Sequence, residues 1–133
     1  MITQTDLKRL WKLKKDIRGI TIRIRELELP YSGIRYESEG AHGSNVPDLT
    51  AHAAQKLIEK REERTSLEEE YAEILTRLIG EIDTIEDPVT AAVMSARFIR
   101  GMTWSQTARI IGGYNTADGC RMLVARYVST LPE

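Results

Sequence analysis

Three helix starts crowd the last third of this 133-residue chain, and their spacing leaves that third little freedom in how it can fold. At Asp87-Pro88, an aspartate can cap free backbone N–H groups while proline takes the first helical position, where its missing N–H costs little. Thr103-Trp104-Ser105-Gln106 carries the residues of a capping box: the Thr103 hydroxyl accepts from the Gln106 N–H and the Gln106 side chain reaches back to Thr103. Gly101 just upstream suits the end of the preceding helix. Gly112-Gly113-Tyr114-Asn115 then marks a turn into a third helix, from Thr116 to near Leu131. A short helix, a glycine turn and a longer helix is the order of a helix-turn-helix.

The rest of the chain agrees with a helical reading. Phe occurs once and Pro four times, while Leu, Ile, Glu, Arg and Ala are abundant, so we expect an all-α protein. A single cysteine, Cys120, excludes an intrachain disulfide framework. No stretch resembles a secretory leader or a membrane span, so a soluble intracellular protein with no membrane partner is expected.

Leu10, Leu13, Ile17, Ile20, Ile24 and Leu27 advance by alternating steps of three and four, the spacing of a coiled-coil seam. Trp11 and Ile22 lie off that seam and imply a second buried flank, while Gly19 weakens the helix by about 1 kcal/mol. A second seam runs through Leu67, Tyr71, Ile74, Leu78, Ile82 and Ile85, with Ala53, Ala54, Leu57 and Ile58 left to anchor the earlier part. Between the two, Pro30 to Pro47 loses helical period and carries Gly33, Gly40 and Gly43, so it reads as a loop in which Tyr31, Ile34 and Tyr36 can dock. The expected architecture is a long antiparallel, coiled-coil-like helical arm over residues 1–86 followed by a C-terminal helix-turn-helix over 87–133. Within the arm we place a helix at about 5–28, a Gly/Ser loop at 30–47 and a long helix at about 48–85. That last helix would be on the order of 50 Å long, which favours pairing through the arm, as a homodimer or as an intramolecular hairpin.

Charge is divided unevenly. Residues 1–27 carry eight Lys/Arg against three Asp/Glu, residues 28–87 six against fifteen, and residues 88–133 five against two. The C-terminal module is therefore locally positive in a chain of net charge −1, which suits double-stranded DNA as a partner. Helix-turn-helix modules lay the second helix of the pair in a major groove, with base-reading side chains near its N-terminal end. Asn115, Thr116, Asp118, Gly119, Arg121, Met122 and Arg126 fall on the face opposite the expected core residues Ala117, Cys120, Val124, Tyr127 or Val128, and Leu131. That core is expected to pack on Trp104, Ala108 and Ile111, with Val93, Ala96 and Phe98 or Ile99. Arg121 is the leading base-edge residue, because a guanidinium can bond guanine through two N–H groups, whereas Arg126, Arg109, Gln106 and Arg100 suit phosphates. Asp118 is expected to neutralise Arg121 or stabilise the helix start.

These residues resemble the small bacteriophage transcriptional regulators of the RinA and ArpU type, whose C-terminal part is similar to region 4 of sigma factors. The resemblance covers about a third of the chain. It rests on Ile85-Glu86-Asp87-Pro88, the run from Ala96 through Arg97-Phe98-Ile99-Arg100-Gly101-Met102-Thr103 to Trp104, then Ala108 with Ile110-Ile111-Gly112, and the helix from Arg121 to Tyr127. It implies binding to phage promoter DNA and activation of late genes through contact with RNA polymerase or a sigma factor. The chain departs from the pattern at Gly119, where a helix former is expected, and has few basic residues in the last helix.

An enzyme is not expected. His42 and His52 lack the neighbours of a zinc site, Cys120 falls on a core face, Glu68-Glu69-Glu70 reads as a solvated helix surface, and Gly112-Gly113 is a turn rather than a phosphate loop. No cofactor is called for. Two other readings remain open: a small-terminase-like DNA-packaging subunit, and a helical protein-docking module without DNA binding.

Overall fold

The computed structural model describes residues 1–29 and 45–133, with backbone alone at 45–49. Most of the expected loop, including Tyr31, Ile34, Tyr36, the three glycines and His42, lies outside the described residues. All described secondary structure is helical: α1 Gln4–Glu28, α2 Asn45–Asp83, α3 Pro88–Met94 running on as a π turn at Ser95–Ile99, α4 Trp104–Ile111 and α5 Ala117–Ser129. The helix expected from about 48 starts at Asn45, so residues 45–47 belong to α2 rather than to the loop. Pro47 is tolerated there because first-turn N–H groups have no intrahelical acceptor to lose.

Side-chain caps mark the starts of α1, α3 and α4. Thr3 Oγ1 accepts from the Asp6 N–H while the Thr3 N–H donates to Asp6 Oδ2, both at 3.0 Å, closing a capping box at the head of α1. Asp87 Oδ2 accepts from the Thr90 N–H at 3.1 Å and from its hydroxyl at 2.6 Å. The hydroxyl bond first, then the backbone one, hold the Asp87 carboxyl below its ordinary range. The Thr103–Gln106 box closes both ways, at 3.0 and 3.1 Å. Gly112 and Gly113 take φ of 73° and 65°, a left-handed pair that glycine enters without a Cβ clash.

By its contacts the chain falls into two compact units, Met1–Trp11 with Tyr71–Glu133, and Lys12–Glu70. This differs from a division at 86/87, because the helix starts that mark residue 87 say nothing about which segments gather round them. In the first unit the two chain ends are joined: the Gln4 N–H donates to the Pro132 carbonyl at 2.8 Å, Gln4 Nε2 to Leu131 O at 2.9 Å and Thr5 Oγ1 to Glu133 O at 2.7 Å. Its core includes Leu7, Leu10, Ile74, Leu78, Val93 and Met94, all buried. Cys120, Val124, Leu131, Val93, Ala96 and Phe98 are buried as expected, while Trp104, Ala108 and Ile111 are half-buried. Thr107, outside the expected core, is fully buried, and among the described residues its Oγ1 has no hydrogen-bond partner.

Two polar pairs brace this unit. Arg77 Nη1 and Nη2 donate to the two Asp6 carboxylate oxygens at 2.8 and 3.3 Å. Burial alone would raise the Asp6 carboxyl, but hydrogen bonds from Arg77 and Thr3, with the Arg77 charge, hold it below its ordinary value. The Tyr127 hydroxyl donates to Glu81 Oε1 at 3.0 Å, and burial, then the adjacent carboxylate, push the phenol up to about 12.

In the second unit Glu28 of α1 meets Arg61 of α2 at 2.7 Å, while Lys15, Asp16, Gly19 and Ile20 share a pocket of about 540 Å³ with Glu63 and Leu67. Position 28 therefore lies beside 61 and positions 15–20 beside 63–67, which makes these helix segments antiparallel. Leu13, Ile24 and Ala53 are buried, and Ile17, Ile20, Leu27, Leu57 and Leu67 only partly. Ile22 does not form a second buried flank, being 50 % exposed, and Ala54 and Ile58 do not anchor α2, both being exposed. Among the described residues nothing covers these three side chains.

Candidate functional site

Between Pro88 and Pro132 the chain holds five arginines and one carboxylate, Asp118. The structure sets one of the five apart. Arg97 lies with its guanidinium carbon 4.7 Å from the Trp11 ring centre and 4.2 Å from that of Trp104, and its Nη1 donates to the Met102 carbonyl at 2.8 Å. Desolvation lowers its pKa, and two aromatic faces offset part of that cost. Trp11 also meets Phe98, with ring centres 5.8 Å apart, so the tryptophan off the α1 seam covers an arginine and a phenylalanine. The π turn at Ser95–Ile99 places Arg97 and Phe98 for this. The Arg100 N–H reaches back to Ser95 O and the Met102 N–H to Ala96 O, both at 3.1 Å. Arg97 thus belongs to the framework, and Arg100, Arg109, Arg121 and Arg126 are exposed.

On α5 the exposed residues form one stripe. Asp118, Arg121, Met122, Ala125 and Arg126 recur at helical spacing, opposite buried Cys120 and Val124. Thr116 caps the helix by accepting from the Gly119 N–H at 3.0 Å, and Asn115 Nδ2 donates to Gly112 O at 3.0 Å. The structure therefore brings Asn115, Thr116, Asp118, Arg121, Met122 and Arg126 to the exposed turn and face of one helix. Gly119 is explained locally: a Cβ there would lie 3.1 Å from the Thr116 oxygen that its own N–H bonds. Arg121 donates from Nε, at 3.2 Å, and from Nη2 to Asp118 Oδ1.

Gln106 and Arg109 sit on α4 instead, beside Met102 and Ile110 around a shallow pocket of about 230 Å³. Gln106 Oε1 is engaged by the Thr103 N–H, which leaves its amide NH₂ as the outward donor. Two exposed side chains were not among the candidates from sequence: Ile110 and Tyr114, the latter fully exposed in the turn. An aromatic after two glycines and before a helix cap was the available signal for Tyr114.

Other chemistry is sparse. Burial raises the Cys120 thiol, disfavouring the thiolate. His52 is exposed, Glu68 pairs with Arg64 at 4.0 Å on the surface of α2, and among the described residues no group of three or more His, Cys, Asp or Glu could hold a metal ion. Among the described residues no helix is long and apolar enough to cross a membrane. No protein-family model, curated protein or solved structure matches this chain.

Proposed function

We propose that the protein is a sequence-specific DNA-binding regulator of phage or prophage transcription, with α4, the glycine turn and α5 acting as a helix-turn-helix. The observation that carries this reading is the exposed α5 stripe of Arg121, Met122 and Arg126, in a 45-residue stretch from Pro88 to Pro132 that contains one carboxylate. Arg121 faces base edges, and Arg100, Arg109 and Arg126 meet phosphates, which supply affinity without sequence information. Gln106, Asn115 and Thr116 lie around the same approach, and Tyr114 adds a phenol at the turn.

Activation of late genes with host RNA polymerase or a sigma factor, in the bacterial cytoplasm, follows from the resemblance to RinA and ArpU-type regulators. Exposed Ile22 and Ile58 on the Lys12–Glu70 unit support pairing of two chains through the arm. Selection of bound fragments from the source genome by the purified full chain, at fixed near-physiological salt, tests the reading. Enrichment of one site beside a late promoter is the expected result. Enrichment beside packaging genes without a promoter replaces it with a terminase-like role, and no enrichment replaces it with protein docking.

A further inference from the structure

Asp118 is a costly residue where it stands. It is the one carboxylate from Pro88 to Pro132, it lies in the first turn of α5, and on the DNA-binding reading it turns a negative charge toward phosphates. Its hydrogen bonds suggest what offsets that cost. A guanidinium carries five N–H groups in a rigid plane. Asp118 Oδ1 takes the Nε and one Nη2 hydrogen of Arg121, which is the side edge of that plane. The end-on fork, made of Nη1 and the second Nη2 hydrogen, remains open, and among the described residues nothing else bonds to it. That fork can donate in parallel to guanine O6 and N7. Both side chains are well exposed, 60 % for Arg121 and 70 % for Asp118, and among the described residues Asp118 is the one hydrogen-bond partner of the Arg121 guanidinium.

We infer that Asp118 is a positioning residue that fixes the Arg121 guanidinium with its end-on fork outward, so that α5 demands guanine at one position of its site while binding unrelated DNA less tightly. The inference rests on the DNA-binding reading and adds to it a specificity mechanism. The carboxylate lowers affinity for every sequence through phosphate repulsion, and it restores affinity for guanine alone by removing the freedom that Arg121 would otherwise lose on binding.

The test uses the full chain at one salt concentration, a duplex selected by the wild type, its three single-base replacements at the guanine position, and an unrelated duplex. Wild type is expected to prefer guanine there by roughly tenfold or more. Asp118→Ala is expected to retain less than threefold preference while binding the unrelated duplex at least as tightly as wild type. Asp118→Asn, whose amide oxygen still accepts from Arg121, is expected to keep most of the preference, and Arg121→Ala to abolish it. Thermal unfolding of each variant confirms the fold before binding is compared. Undiminished guanine preference in Asp118→Ala overturns the inference and leaves the DNA-binding reading standing. Equal loss in Asp118→Ala and Asp118→Asn assigns the effect to charge and overturns positioning. Failure of the wild type to select any duplex overturns the reading itself, and the inference with it.

Discussion

The same two long helices, α1 and α2, contribute to both compact units, yet the units hold themselves together differently. Of the sixteen buried apolar residues among those described, thirteen belong to the unit of Met1–Trp11 and Tyr71–Glu133 and three to Lys12–Glu70. The first unit adds hydrogen bonds between chain ends, the Arg77–Asp6 pair and the Tyr127–Glu81 bond. The second is laced mainly by exposed pairs such as Lys12–Asp16, Arg23–Glu26 and Lys60–Glu63, each worth roughly 0 to 1 kcal/mol. A regular apolar seam therefore does not imply a tight core. In Lys12–Glu70 Gly19 presents no side chain and its surroundings are open, so neighbouring Ile17 and Ile20 stay half-buried.

The strongest way to break this contrast is a pair of truncations. Leu78→Ala removes a side chain with no exposed surface and is expected to cost about 2 to 5 kcal/mol in urea unfolding, whereas Ile20→Ala, beside the open pocket, is expected to cost less than half as much. Equal losses would mean that the two units are equally well packed.

Arg97→Ala comes next. It uncovers Trp11 and Trp104 and leaves the Met102 carbonyl without its donor, for an expected loss of about 2 kcal/mol. Tryptophan fluorescence during unfolding reports it directly, and a loss under 0.5 kcal/mol, on the order of a surface substitution, would demote Arg97 from the framework.

A smaller effect is confined to alkali. Tyr127 stays protonated to about 12 in the folded state against an ordinary value of 10, so the folded state binds the proton more tightly. The stabilisation is whole below pH 10 and is lost as pH rises toward 12. At pH 11 the wild type should have lost about 1.4 kcal/mol that Tyr127→Phe does not lose, and parallel pH profiles for the two would remove this bond from the bracing of the first unit.

The smallest change sharpens the comparison by improving the better-packed unit. Thr107→Val replaces a buried hydroxyl that lacks a partner among the described residues with a methyl group of similar size and is expected to raise stability by about 1 kcal/mol. A loss on substitution would show that the hydroxyl is satisfied in solution.

How far the chain could be read in advance depended on the distance between partners. Asp87 with Thr90, Thr103 with Gln106 and Thr116 with Gly119 are each three residues apart, so the start of every C-terminal helix was visible in a short window. The stripe of Asp118, Arg121, Met122 and Arg126 was visible for the same reason, since helical spacing alone separates it from Cys120 and Val124. Thr107 was not, because a hydroxyl on an apolar face looks like a surface residue until its neighbours are known. Ile22 and Ile58 misled in the opposite sense, because hydropathy cannot say whether anything arrives to cover a residue.

By itself, then, the sequence determined that this protein is helical, where its C-terminal helices begin and which face of α5 turns outward, all consequences of hydrogen bonds and spacing within a few residues. Only the tertiary structure decided that Arg97 would lie between Trp11 and Trp104, that Asp6 would take Arg77, and that Gln4 and Thr5 would bond the chain's last residues. Those partners stand 86, 71 and 127 or 128 positions apart in all but the Arg97–Trp104 contact, and a local pattern carries no record of which distant surface will desolvate a charge or accept its proton.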